Sequence, residues 1–183
     1  MQMEVEHQKM DRKRLAVKII VPILIGLVVA GIWFIKNWQD AAGELQIENP
    51  DFALNVTEPL DLEYLKSHGL PIMIDFGADS CPPCRRLAPT IKKLHKELQE
   101  KAIIKYADVW ESPELAEGYP IRVVPTLMFF DKDGNPYEPS DPEASRMLLY
   151  TMKDTGEHVF TVHEGIMTEE EILSILIEMG MEE

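Results

Sequence analysis

Apolar positions along this chain fall into three regimes. Residues 19–35 carry no charge at all; from residue 71 onward apolar residues come in short blocks bounded by proline, glycine or charge, and between the blocks they recur every three or four positions. The seventeen uncharged residues 19–35, extended by Leu15, Ala16 and Val17 with Lys18 able to snorkel, approach the roughly 20 residues a helix needs to cross a bilayer. Trp33 and Trp38 mark the far interface. Residues 37–58 are polar and contain Pro50, which reads as a tether ending in a first strand over 52–56.

Leu62 and Leu65 behind Asp61 predict a short helix over 60–67, ended by Gly69. The block 71–76 is too short for a helix and reads as a buried strand. Leu87, Ile91, Leu94 and Leu98 repeat at helical spacing, giving an amphipathic helix to about residue 100. Strands are predicted over 103–109 and 126–130, with a short helix over 113–119 between them and the turn Asp131-Lys-Asp-Gly134 behind. Segments 147–152 and 158–163 flank Asp154-Thr-Gly156 and form a hairpin; His158 and His163, five apart, point to opposite faces and are read as ordinary polar positions. Thr168 with Glu171 three residues on is a capping box, opening a last helix with Ile172, Leu173, Leu176 and Met179 on one face. This order implies an α/β fold whose mixed sheet is covered on both faces.

Composition narrows the class. With 183 residues, 45% of them hydrophobic, ordinary glycine and one long apolar run, the chain is neither disordered nor a multispan membrane protein. A net charge of −14 repels a phosphate backbone and excludes nucleic acid as a partner. The charge is unevenly placed: Lys9, Arg12, Lys13, Arg14 and Lys18 precede the apolar run, and beyond Lys36 come Asp40, Glu44, Glu48 and Asp51. The positive-inside rule then keeps residues 1–18 in the cytoplasm, lodges 19–36 in lipid and places the rest outside. Residues 1–36 hold six basic and three acidic side chains, leaving 12 against 29, a net −17, for the exterior part. A cleaved signal peptide is the rival reading, but sites after Ala30 or Ala42 are poor, the second having Asp40 where a small residue belongs.

The candidate chemistry is Cys81-Pro-Pro-Cys84, the chain's two cysteines. A zinc site needs four ligands and there is no second pair, so no metal is assigned. A structural disulfide closing so small a loop removes little unfolded-chain entropy. Redox exchange suits the spacing best. Lying between a buried strand and an amphipathic helix, Cys81 falls at a helix N-terminus, where orphan N–H groups and the dipole favour a thiolate, and Cys84 sits one turn on, placed to attack a mixed disulfide at Cys81. Pro82 and Pro83 are tolerated in the first turn; they remove amides that could stabilise the thiolate, while Arg85 and Arg86 favour the anion. Asp75, an acid on an apolar strand ahead of the thiols, is a candidate base whose burial raises its pKa.

The segments PIMIDFGADSCPPCRRLAP and SPELAEGYPIRVVPTLMFFDKDG resemble the thioredoxin family, the likeness extending over about 52–179. The resemblance implies a thioredoxin fold over 59–183 with an insertion at about 135–157, whose apolar half adds an edge strand. It implies that Asp75 is similar to the family's buried acid, which accepts a proton when the second cysteine attacks. Pro89 matches the proline that kinks the active-site helix, and Pro125 the cis proline beside the disulfide, where the backbone of Val124 pairs with substrate. Gly77 and Ser80 stand where thioredoxins often carry tryptophan, and Lys105 or Tyr106 corresponds to the family's lysine near the buried acid. Trp110 and Tyr119 fall near the expected rim as packing residues.

The implied function is that of a membrane-anchored thiol:disulfide oxidoreductase that reduces disulfides of extracytoplasmic client proteins, with Cys81 and Cys84 as the redox pair, Pro82, Pro83, Val124 and Pro125 against the substrate, and no other cofactor. An integral-membrane carrier of reducing equivalents is its expected electron donor. The alternatives are a thiol oxidase or isomerase, a Cu(I) chaperone and a non-catalytic binding module.

Overall fold

The computed structural model describes residues 30–31, 52–141 and 145–182. The expected membrane anchor and most of the tether lie outside the described residues, save Ala30 and Gly31, which are helical. Among the described residues no helix is long and apolar enough to cross a membrane.

Five strands form one mixed sheet. They are β1 (Ile72–Gly77), β2 (Ile103–Asp108), β3 (Thr126–Phe130), β4 (Leu148–Thr151) and β5 (His158–Glu164), in the spatial order β2-β1-β3-β5-β4. β1 runs parallel to β2 and antiparallel to β3, and the remaining pairs are antiparallel. β1 and β3 are buried at every position, which explains why their sequences are continuous apolar blocks rather than alternating ones. The expected edge strand is there: β4 closes the sheet on the side away from β2.

Two helices cover one face. α2 (Pro82–Glu97) brings Leu87, Ile91 and Leu94 against Met73, Ile104 and Leu127, and α3 (Glu169–Glu178) adds Ile172, Ile175 and Leu176 to the same core. Full burial of side chains of this size contributes roughly 1.5–3 kcal/mol each. The capping box is formed as the sequence implies: Glu171 N–H donates to Thr168 Oγ1 and Thr168 N–H to Glu171 Oε2. The opposite face packs Ile72, Ile74, Phe76 and Met128 under Leu65 of α1 (Leu62–Lys66) and Leu115 of the 3-10 turn Pro113–Ala116.

Two expected elements are smaller than the sequence suggests. Residues 52–56 make a single bridge, Asn55 to Tyr106, instead of a strand. A 3-10 turn at Phe52 bounds this stretch on one side, and on the other Pro59 has no amide to donate. The predicted helix over 113–119 is only the turn Pro113–Ala116, because Gly118 takes φ +85° and Pro120 follows.

Candidate active site

β1 runs directly into a three-residue loop, Ala78-Asp79-Ser80, that delivers Cys81 to the start of α2. Cys81 is the N-cap in extended backbone conformation (φ −80°, ψ 120°), and Pro82 and Pro83 fill the first two helical positions, where an amide would have no intrahelical acceptor. The amide of Cys84 donates to Cys81 Sγ at 3.4 Å. Both cysteines are free thiols, each 3% exposed.

A second segment closes over the thiols. The Val124–Pro125 bond is cis, and Cys81 Sγ donates to the Val124 carbonyl oxygen at 3.7 Å. Ala78, Cys81, Cys84 and Val124 make a small apolar cluster of their own. The loop is pinned from two sides: Thr126 Oγ1 donates to Val123 O at 2.8 Å and Gly165 N to Pro125 O at 2.9 Å. Gly165 holds φ +111°, a backbone conformation costly for any side chain. The structure thus brings Cys81, Cys84, Val124 and Pro125 together, with Pro82 exposed and Pro83 half-buried beside them.

Asp75 lies behind, 1% exposed, with Oδ1 lacking a hydrogen-bond partner among the described residues. Burial pushes its pKa up to about 7, so near neutrality it can hold or release a proton. Cys84 is pushed up to about 12, first by burial, then by its hydrogen bond with Cys81, with the charges of Cys81 and Asp75 adding to the shift. A thiol this weakly acidic needs a base before it can attack.

The strand register decides between the two residues that could face the acid. Asp75 is level with Tyr106, whereas Lys105 turns the other way and donates from Nζ to Ala53 O at 2.8 Å. Tyr119 packs as expected, its ring 5.1 Å from Phe76 and 5.7 Å from Phe160. Trp110 does not: it is 59% exposed. His163 is buried, and the ring of His158 bonds to Thr161 Oγ1.

A family model for thioredoxin matches residues 59–154, more than half of the chain. The chain belongs to the thioredoxin family. A thioredoxin of Rickettsia bellii is 38% identical over 78 residues, covering 43% of this chain and 74% of the relative. Thioredoxin 1 of Chlorobaculum tepidum is 34% identical over 68 residues, 37% of this chain and 67% of that one. Among solved structures, a mutant thioredoxin from Halobacterium salinarum shares 29% identity over 74% of this chain and 96% of its own, with a TM-score of 0.48. As a member of this family the protein is a thioredoxin-like thiol:disulfide oxidoreductase. One contact beside the thioredoxin site was not foreseen from sequence: Tyr106 Oη donates to Asp79 Oδ1 at 2.9 Å. Gly77 was its available signal, since a missing side chain on one strand leaves room for a large one on the next.

Proposed function

We propose that this protein is a membrane-tethered reductase of disulfides in extracytoplasmic proteins, with its amino terminus in the cytoplasm and Cys81 and Cys84 as its redox pair. The observation that carries the reading is Cys81 at the N-cap of α2 with Cys84 one turn on and the buried Asp75 behind. In the forward direction the Cys81 thiolate attacks one sulfur of a client disulfide. That S–S bond breaks, a Cys81–client disulfide forms, and the first client thiolate leaves. Asp75 takes the Cys84 proton, and the Cys84 thiolate attacks Cys81 Sγ, releasing the second client thiolate. The client gains two electrons and the protein is left with a Cys81–Cys84 disulfide, which an integral-membrane dithiol carrier reduces again.

Val124, with Pro125 fixing its carbonyl beside the sulfur, offers the backbone against which a client chain is placed, and Pro82 and Pro83 give the apolar edge of that surface. The prolines also support the reducing direction, since the first two helical positions carry no N–H and the Cys84 amide is left to donate to the Cys81 sulfur, which limits stabilisation of its thiolate. The basic flank before residue 19 and the apolar run behind it support the topology.

The test is trapping. Cys84→Ser in the full chain should accumulate mixed disulfides with client proteins through Cys81; a folded variant that forms none ends the proposal. A reduction potential near the roughly −270 mV of a reducing CxxC pair is expected, and one near the roughly −120 mV of the strongest oxidant would reverse the direction.

A further inference from the structure

The register that sets Tyr106 level with Asp75 also brings its ring against Gly77: a Cβ added there would lie 2.8 Å from Tyr106 Cε2. The ring therefore uses the space that a side chain at position 77 would take. Its hydroxyl reaches out to Asp79 Oδ1 at 2.9 Å, in the loop that leads to Cys81, and Asp79 N–H is itself held by Asp108 Oδ2 at 2.8 Å. Tyr106, Asp79 and Asp75 all line one cavity of about 430 Å³ that continues past Ala88 and Lys92 of α2 and Leu54 of the incoming segment. Asp75 is at its buried end with Oδ1 unpartnered; Tyr106 is half-buried and Asp79 exposed at its outer end. A cavity of this size and polarity admits water, so whatever stands between its mouth and Asp75 governs how well solvated that carboxyl is.

We propose that Tyr106 is a positioning residue for the proposed exchange reaction: tied to Asp79, it closes the cavity over Asp75 and keeps the carboxyl out of water. This rests on the reading of Asp75 as the proton acceptor for Cys84. The titratable and charged groups around Asp75 come from several elements: Cys84 of α2 feels its charge, Lys92 of α2, Tyr106 and Asp108 of β2, Asp79 of the loop and Glu111 beyond β2 line the same cavity, and β3 sets the uncharged Leu127 level with it. Burial, then the bond to Asp79, raises the Tyr106 pKa, so the phenol stays a neutral donor throughout the range in which Asp75 titrates. Burial is also the cause of the raised Asp75 pKa, and a route for water removes part of it.

The experiment is a carboxyl-¹³C titration of aspartate-labelled full chain, the Asp75 signal being identified by its loss in Asp75→Asn. Tyr106→Phe keeps the ring and removes the tie, and should lower the Asp75 midpoint by about one pH unit, a fraction of the roughly 3–5 that full burial can produce. Asp79→Ala, which leaves the tyrosine untouched, should do the same, and the double variant should shift no further than either single one. Asp79→Asn keeps an acceptor oxygen while losing the charge, and should leave the midpoint at its wild-type place. An unmoved midpoint in Tyr106→Phe overturns the inference, as does a shift in Asp79→Asn equal to that in Asp79→Ala, which would make the effect Coulombic. Trapping by Cys84→Ser is independent of this titration, so failure of the exchange reading and failure of the Tyr106 inference are told apart.

Discussion

Cys81 Sγ lies 3.7 Å from the carbonyl oxygen of Val124, a residue 43 positions further along the chain. The contact joins the start of α2 to the loop before β3, and through it the helix cap, the thiol and the Val124 backbone become one small cluster. Because Cys81 is both cap and thiol, its two roles separate by substitution.

Cys81→Ser keeps a side-chain acceptor for the Cys84 amide and should fold with wild-type stability or slightly better, yet show no disulfide exchange. Cys81→Ala loses the cap, a loss of about 0.5 kcal/mol, at the low end of N-cap effects because a sulfur 3.4 Å away is a weak acceptor. Urea unfolding midpoints of the reduced proteins check the order.

Asp75 makes stability depend on pH. Its pKa is raised from 3.8 to about 7, so between those values the folded chain holds a proton that the unfolded chain has released. Stability should fall as pH rises across that window, the cost being absent below it and complete above it, of order 4 kcal/mol at about 1.36 kcal/mol per unit. Asp75→Asn should flatten the profile and be the more stable protein above pH 7, while client reduction slows by about 100-fold, the low end for loss of a general base. Unfolding midpoints across the window, set beside turnover, test both halves.

Gly77→Ala forces a Cβ to within 2.8 Å of Tyr106. The ring is held at its far end by Asp79, so the overlap is not relieved freely, and a loss of about 1–3 kcal/mol is expected. Pairing it with Tyr106→Leu should recover part of that loss, and a double-mutant cycle on unfolding free energies measures the coupling.

Thr168→Ala removes the side-chain cap of α3, which is the acceptor of the Glu171 amide, for a loss of about 1 kcal/mol. The backbone of Thr168 holds Glu171 below its ordinary pKa, so this stabilisation is present above the ordinary carboxylate range and disappears as pH falls through the lowered value. Thr168→Ala keeps that backbone donor and loses only the smaller side-chain bond, so it should lose stability over nearly the wild-type acid range when unfolding is followed from neutral to acidic pH, whereas Glu171→Gln should flatten the profile there.

The proposed topology predicts protease sensitivity on one side only. With intact cells stripped of their outer layers, added protease should cut the tether within 37–58 and release the folded domain, while the full chain resists extraction from membranes by alkaline carbonate. A domain protected until the membrane is opened would place it on the cytoplasmic side.

Legibility in the sequence followed how local the deciding physics was. β3 was readable to the residue because a five-residue apolar block ending at Asp131 has few other solutions, and α3 because its cap is written in Thr168 and Glu171 alone. The strand expected over 52–56 failed because pairing depends on the edge of β2 and on the bends at Phe52 and Pro59. Trp110 was expected to pack, yet it is 59% exposed; hydrophobicity states a preference for burial and says nothing about what is at hand to supply it.

By itself the sequence determined the order of elements, the redox-spaced cysteine pair at a helix start, the acid six residues ahead of it, and the uneven charge that suggests a tether. These depend on spacing along one segment, where helix and strand periods fix which residues share a face. Only the tertiary structure decided that Tyr106 rather than Lys105 is level with Asp75, that Asp79 is its partner, and that Val124 lies against the Cys81 thiol. Those relations depend on register between strands and on loops packed across long separations, where a slip of one residue exchanges the faces of every side chain.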